Sequence, residues 1–135
     1  MSTAVVYYSL SGNTEMMAKA IAEGAGTEDV YSVDEAVESD VLSHSSIALG
    51  CPARGSEELE ANDFEPFMDS IASSLKGKKV ALFGSYDWGD GEWMRTWQEN
   101  LESMGITLIQ DGLICNNEPT DDDIESCKAL GKALA

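Results

Sequence analysis

Basic residues are scarce in this chain: 8 Lys or Arg stand against 25 Asp or Glu among 135 residues, a formal net charge of −17. Such a surface repels nucleic-acid phosphates and anionic lipid headgroups, so neither nucleic acid nor a membrane is expected as a partner. The same surplus favours solubility and encounter with basic proteins, although a saline source would produce it as well. Histidine occurs once, as His44, and the cysteines Cys51, Cys115 and Cys127 form neither a CxxC pair nor a disulfide-type framework. Cysteines of that kind fit a reducing cytosol, and a cytoplasmic location is expected. No run approaches the ~20 apolar residues of a membrane span, and no basic segment leads into an apolar one at the N-terminus. No internal repeat or low-complexity linker divides the sequence. Its length falls within the ~100–200 residues usual for one domain, and 43% hydrophobic residues suffice for a core. One domain over residues 1–135 is the expectation.

Catalytic and metal-binding groupings are missing too. His44 lies among serines ahead of an apolar run and reads as a surface or strand-start residue. Cys51 has no second Cys or His beside it and reads as buried and inert, while Cys115 and Cys127 fit apolar positions. The acidic groups Glu57-Glu58-Leu59-Glu60 and Asp121-Asp122-Asp123 read as solvated or helix-capping rather than as metal ligands.

What is present is organised around Val5-Val6-Tyr7-Tyr8-Ser9-Leu10-Ser11-Gly12-Asn13-Thr14. An apolar, β-branched and aromatic run reads as a buried strand, and it breaks into a hydroxyl-rich turn that passes directly into a helical pattern. A helix start offers N–H groups without internal partners and the positive end of the helix dipole, so this order of elements makes an anion site. Ser9, Ser11 and Thr14 can add hydroxyl donors, and Asn13 an amide. Between Ala4 and Met17 there is no Lys or Arg, which excludes a nucleotide-triphosphatase loop, and the lone Gly12 excludes a GxGxxG fingerprint. A polar turn that merely caps a helix remains the alternative at this point.

Strand and helix patterns then alternate. A first strand at about residues 4–8 is followed by a helix over about 13–23, with Gly24 and Gly26 ending it. A short second strand spans 30–33, a weakly patterned connection with room for one helical turn 35–42, and a third strand 47–51. Asn62 with Glu65 has capping-box spacing ahead of a stripe of Phe64, Phe67, Met68, Ile71 and Leu75. The fourth strand, 80–84, is wholly apolar and therefore central. Met94, Trp97, Leu101 and Met104 form the next helical stripe; a fifth strand lies within 106–115, broken near Asp111-Gly112; and Thr120 with Asp123 caps a last helix. Five strands alternating with helices predict a doubly wound α/β fold around a parallel sheet. An order of 2-1-3-4-5 would gather the loops after strands one, three and four, about residues 9–14, 52–58 and 85–91, into one cleft beyond the strand ends. In the last of these, Trp88 joins no helical stripe and reads as a ligand-stacking ring, whereas Trp93 and Trp97 read as structural. A phospho-acceptor receiver would need acids at the ends of strands one and three, where Ser9 and Cys51 stand.

These residues resemble the short-chain flavodoxins, carriers that bind flavin mononucleotide (FMN). The likeness runs through the stretch from Val5 to Thr14, Leu49-Gly50-Cys51, Phe64-Glu65-Pro66-Phe67, the run from Gly77 to Tyr86, Trp88-Gly89-Asp90-Gly91 and Asn117-Glu118-Pro119. Flavodoxins themselves exemplify the 2-1-3-4-5 order with FMN at its switch point, so that agreement is no independent argument. The resemblance implies a five-stranded flavodoxin-like sandwich with Ser9, Leu10, Ser11, Gly12, Asn13 and Thr14 around the FMN phosphate. It implies that Ser85 reaches phosphate or ribityl, that Trp88 stacks on the ring within Tyr86, Asp87 and Gly89, and that Pro52, Ala53, Arg54, Gly55, Ser56 and Glu57 border the other edge. Arg54 stands where relatives commonly carry an apolar residue, often Met; it either covers the inner flavin face or points to solvent beside Glu57 and Glu58. Pro52 and Ser56 depart from the family pattern as well.

The implied function is a low-potential one-electron carrier, cycling through a neutral semiquinone and a hydroquinone. It would be monomeric and dock transiently with basic redox proteins through an acidic flavin edge. An FMN-dependent quinone or nitro-compound reductase on the same fold is the alternative.

Overall fold

Thr3, Ala4, Val5 and Val6 are buried in a strand, β1 (Thr3–Tyr7), that is flanked on both sides in a parallel sheet. The computed structural model describes residues 2–53, 60–87 and 89–135. In chain order β1 is followed by α1 (Asn13–Ala25), β2 (Val30–Ser32), α2 (Glu38–Leu42), β3 (Ser46–Gly50) and α3 (Phe64–Ile71). Then come β4 (Lys79–Tyr86), α4 (Glu92–Ser103), β5 (Leu113–Asn116) and α5 (Asp121–Leu134). The sheet is all parallel, as the alternating pattern predicts, and its order is β2-β1-β3-β4-β5, the one expected to gather the three loops. Its register sets Val6 beside Leu49, Leu49 beside Leu82 and Phe83 beside Leu113.

Both faces of the sheet are covered, which is why its central strands read as unbroken apolar runs. On one face Val6, Ile47, Leu49, Val80 and Leu82 meet Phe64, Met68 and Ile71 of α3 and Trp93, Trp97 and Leu101 of α4. On the other, the smaller Val5, Ala48 and Ala81 meet Met17, Ala18 and Ile21 of α1 and Cys127, Leu130 and Leu134 of α5. On that face α1 and α5 touch backbone to backbone. A Cβ on Gly131 would lie 2.0 Å from the Ile21 carbonyl oxygen, and one on Gly24 would lie 2.0 Å from that of Lys128. Alanine ordinarily favours a helix over glycine by ~1 kcal/mol, but overpacking costs ~1–3 kcal/mol. Gly131→Ala is therefore expected to lower the urea midpoint; a raised midpoint would show that the helices can separate freely.

Of the local expectations one is overturned, the cap of α3. The weak connection before β3 contains α2, five residues long. The Thr120–Asp123 capping box of α5 forms as expected. The Asn62–Glu65 box does not: Asp63 is the residue preceding α3, and no side chain of its own caps that helix. Instead the Glu60 carboxylate accepts the N–H groups of Asn62, Asp63 and Phe64 at 2.8, 2.7 and 2.8 Å. The fifth strand is split in two. Val80 bridges Leu108, the chain then leaves the sheet, and Gln98 holds Asp111 and the Gly112 N–H before β5 begins.

His44 is buried at the start of β3, with Nε2 2.8 Å from Asp29 Oδ2 and Nδ1 2.8 Å from the Asp40 carbonyl oxygen. The hydrogen bond from His44, opposed by burial and helped by one from Tyr31, holds the Asp29 carboxyl below the usual carboxylate range. A depressed carboxyl contributes stability fully above its unfolded value of ~3.9 and loses it as pH falls through the folded one. Asp29→Asn should thus lower stability at neutral pH, and the two stability curves should converge below about pH 4. With this side chain 45% exposed, the gap should be modest. A gap that widened in acid would overturn this sign.

Candidate functional site

The sheet reverses its winding between β1 and β3, and the loops leaving β1, β3 and β4 converge there. The backbone itself ties them: Tyr8 N–H donates to the Gly50 carbonyl at 2.9 Å, Ala53 N–H to Ser85 at 3.1 Å and Asn117 N–H to Tyr86 at 2.7 Å. Between them is a cleft of about 350 Å³ lined by Ser9, Leu10, Ser11, Asn13, Thr14, Pro52, Ala53, Ser85, Tyr86, Asp87 and Asn117. All but Asn117 are residues expected at the site from sequence.

Gly12 and Gly89 do not line the cleft. Gly12 precedes α1 at φ 94°, a left-handed turn that glycine adopts without strain, and it swings the chain from the loop into the helix. Gly89 is exposed at φ 88°. The expectations for Arg54, Gly55, Ser56, Glu57 and Trp88 fall outside the described residues. Tyr86 lines the cleft but is half-buried, its ring packed 5.6 Å from that of Trp93.

Ser9 closes the loop on itself, since its Oγ accepts the Gly12 N–H at 3.1 Å and the Glu15 N–H at 3.3 Å. Met16 N–H donates to the Gly12 carbonyl. The intervening amides of Asn13 and Thr14 have no acceptor among the described residues, as the opening turn of a helix requires. Thr14 is 1% exposed and its Oγ1 lies 2.8 Å from Ser85 Oγ, joining the first loop to the end of β4. Among the described residues, the turn at the positive end of α1 thus offers only neutral donors. That donor set suits a phosphate: dipoles and hydroxyls replace its water without a fixed cation.

Tyr7, Cys115 and Cys127 stay protonated at neutral pH. Burial first, and then the hydrogen bond it donates to Glu15, push the Tyr7 hydroxyl up to about 12. Burial likewise raises Cys115 to about 11 and Cys127 to about 12, so both stay thiols. Among the described residues no group of three or more His, Cys, Asp or Glu could hold a metal. Acids gather at this end of the sheet: Asp34 and Glu35 after β2, Asp87 and Asp90 after β4, and Glu118 after β5.

A second depression of about 350 Å³ lies at the opposite end of the strands, between Thr3, Ser46, Lys79 and the ends of α1 and α5. It faces the negative ends of two helix dipoles and is the wrong pole for an anion. Asn117 is the one cleft residue not singled out from sequence as a site residue. Its signal is an Asn before Glu-Pro, able to take the φ of 61° found there.

Fold and cleft together define a doubly wound α/β protein with a polar cleft at the switch point of its sheet. A model of the flavodoxin family matches residues 5–131, and the chain belongs to that family. It is 49% identical to the flavodoxin of Megasphaera elsdenii over 136 residues, covering 97% of this chain and 96% of that one. It is 42% identical to the flavodoxin of Clostridium beijerinckii, with 97% of each covered. The solution structure of two-electron reduced Megasphaera elsdenii flavodoxin superposes with a TM-score of 0.85 at 48% identity, covering 98% of this chain and 97% of that one. Flavodoxins are FMN-binding electron carriers.

Proposed function

We propose that this chain is a low-potential one-electron carrier that holds FMN non-covalently in the cleft and shuttles electrons between redox proteins. The observation carrying this reading is the cationless cradle formed by the first turn of α1, with the Thr14–Ser85 hydroxyl pair beneath it. Ser9, Leu10, Ser11, Gly12, Asn13, Thr14 and Ser85 would hold the phosphate and the chain attached to it. Tyr86, Asp87, Trp88 and Gly89 would border one side of the ring, and Pro52, Ala53, Arg54, Gly55, Ser56 and Glu57 the other. FMN, when bound, supplies a ring that accepts electrons singly, by way of a neutral semiquinone and a hydroquinone. Around it the protein supplies orientation, exclusion of water and an acidic rim. That rim would attract basic redox partners and release them quickly, as a small, charged interface allows. The described residues pack on one sheet, which supports a single FMN-binding domain over residues 1–135. No described helix is long and apolar enough to cross a membrane. We read the protein as a cytoplasmic monomer.

A stepwise redox titration of the purified yellow protein tests the function. Two separated one-electron steps with a blue neutral intermediate are expected. Reduction in one two-electron step, with turnover of a quinone by NADH without added reductase, would instead make the protein a reductase.

A further inference from the structure

α3 and α4 cover the same face of the sheet, and a groove of about 180 Å³ lies between them. Its walls are the buried Met68, Ala72, Trp97 and Leu101 and the exposed Met104. These residues recur at helical spacing along the two helices and the residue that ends each, so both helices give the groove a continuous apolar edge. Apolar cavities of about 150 Å³ hold one benzene-sized ring, and this groove has room for a single ring.

What such a ring must carry follows from the polar groups around it. The Trp97 indole N–H is buried and has no acceptor among the described residues, a condition that folded proteins rarely leave unmet. That N–H is closed to solvent, so reaching it takes side-chain movement. Two of the walls, Met68 and Met104, are flexible thioethers that re-pack readily around a guest. Glu65 and Asp69 stand one helical turn apart on the rim, both exposed, and no Lys or Arg lines the groove. Neither carboxylate has an ion pair among the described residues. The rim therefore attracts a cation, and the wall offers one donor to an acceptor. A second copy of the chain is a poor occupant, because at a net charge of −17 the two would repel.

We propose that the groove between α3 and α4 binds a single-ring aromatic amine. The ring lies against Met68, Leu101 and Met104, the ammonium meets Glu65 and Asp69, and a ring hydroxyl accepts the Trp97 N–H. The groove shares no lining residue with the cleft, so this site does not depend on which cofactor the cleft holds.

Tyramine, phenethylamine and p-cresol are the probes: the first carries ring, cation and acceptor, the second lacks the acceptor and the third the cation. Each is titrated into the whole protein as purified, and the Trp97 indole N–H resonance is followed by proton–nitrogen NMR. That resonance is the one lost in Trp97→Phe; should this variant not fold, contacts with the Phe64 ring, 5.4 Å away, identify it. Saturable movement is expected, with tyramine bound more tightly than either of the others. Glu65→Gln combined with Asp69→Asn, at two exposed positions, should weaken tyramine and phenethylamine about three- to tenfold and leave p-cresol unchanged. A Trp97 resonance that never moves saturably, or equal affinity for all three probes, would overturn the proposal. Amine binding that survives the two carboxylate changes would do the same, since it would reflect apolar contact alone. A change in the flavin absorption without movement at Trp97 would place the ring in the cleft instead. Movement caused by a short oligolysine peptide and by none of the amines would make the groove a protein-docking face, and the assigned occupant would be wrong.

Discussion

Replacing Ser11 by Ala and Thr14 by Val together should weaken FMN about 10²- to 10⁴-fold while leaving riboflavin, which lacks the phosphate, nearly untouched. Each hydroxyl lost from a charged phosphate removes a hydrogen bond worth ~1.5–3 kcal/mol, and each ~1.4 kcal/mol is a factor of ten. Valine is the right replacement at Thr14 because the side chain is 1% exposed and must keep its shape. The change also strips Ser85 Oγ of its 2.8 Å partner, which costs stability in the empty protein. Comparing the two ligands removes that common cost. Titrations with FMN and riboflavin that weaken equally would place the phosphate elsewhere.

Trp97→Ala should cost ~3–5 kcal/mol of fold stability, the range for deleting a buried aromatic, without changing FMN affinity. Trp97 is 3% exposed, and its ring meets Phe64 edge to face at 5.4 Å, remote from the cleft lining. A finer contrast separates it from Trp93. Among the described residues the Trp97 indole N–H is buried without an acceptor, whereas that of Trp93 donates to the Cys51 carbonyl. Phenylalanine at 97 should therefore be cheaper than phenylalanine at 93 by ~1 kcal/mol, the worth of one hydrogen bond. Urea unfolding of the two variants checks the order, and a reversed order would refute the hydrogen-bond argument.

The two tryptophans also mark what could be read in the sequence. Trp97 falls on a helical stripe, so its burial follows from periodicity. The bond from Trp93 to Cys51 spans 42 positions and leaves no local trace. The strand–turn–helix from β1 into α1 was legible because its physics is local. Asn117 as a cleft residue was not, because it depends on where β5 ends relative to Tyr86. The split of β5 shows only as a break near Gly112; its cause, Gln98, lies on another element. The cap of α3 was misassigned for a similar reason. Asn62 and Glu65 have the right spacing, but Glu60, buried by the tertiary fold, already holds the donors they would satisfy.

The glycine contacts between α1 and α5 bear on how the protein meets its cofactor. With Gly131 against the Ile21 carbonyl and Gly24 against that of Lys128, α1 cannot slide or roll along α5 without backbone overlap. The same helix carries the Asn13 and Thr14 amides at its other end, so their direction is set before any anion arrives. The conformational entropy of aligning those donors is lost during folding rather than on association. Apoprotein and loaded protein should then share one arrangement of this turn, and capture of the phosphate becomes the docking of a ligand onto a rigid mount.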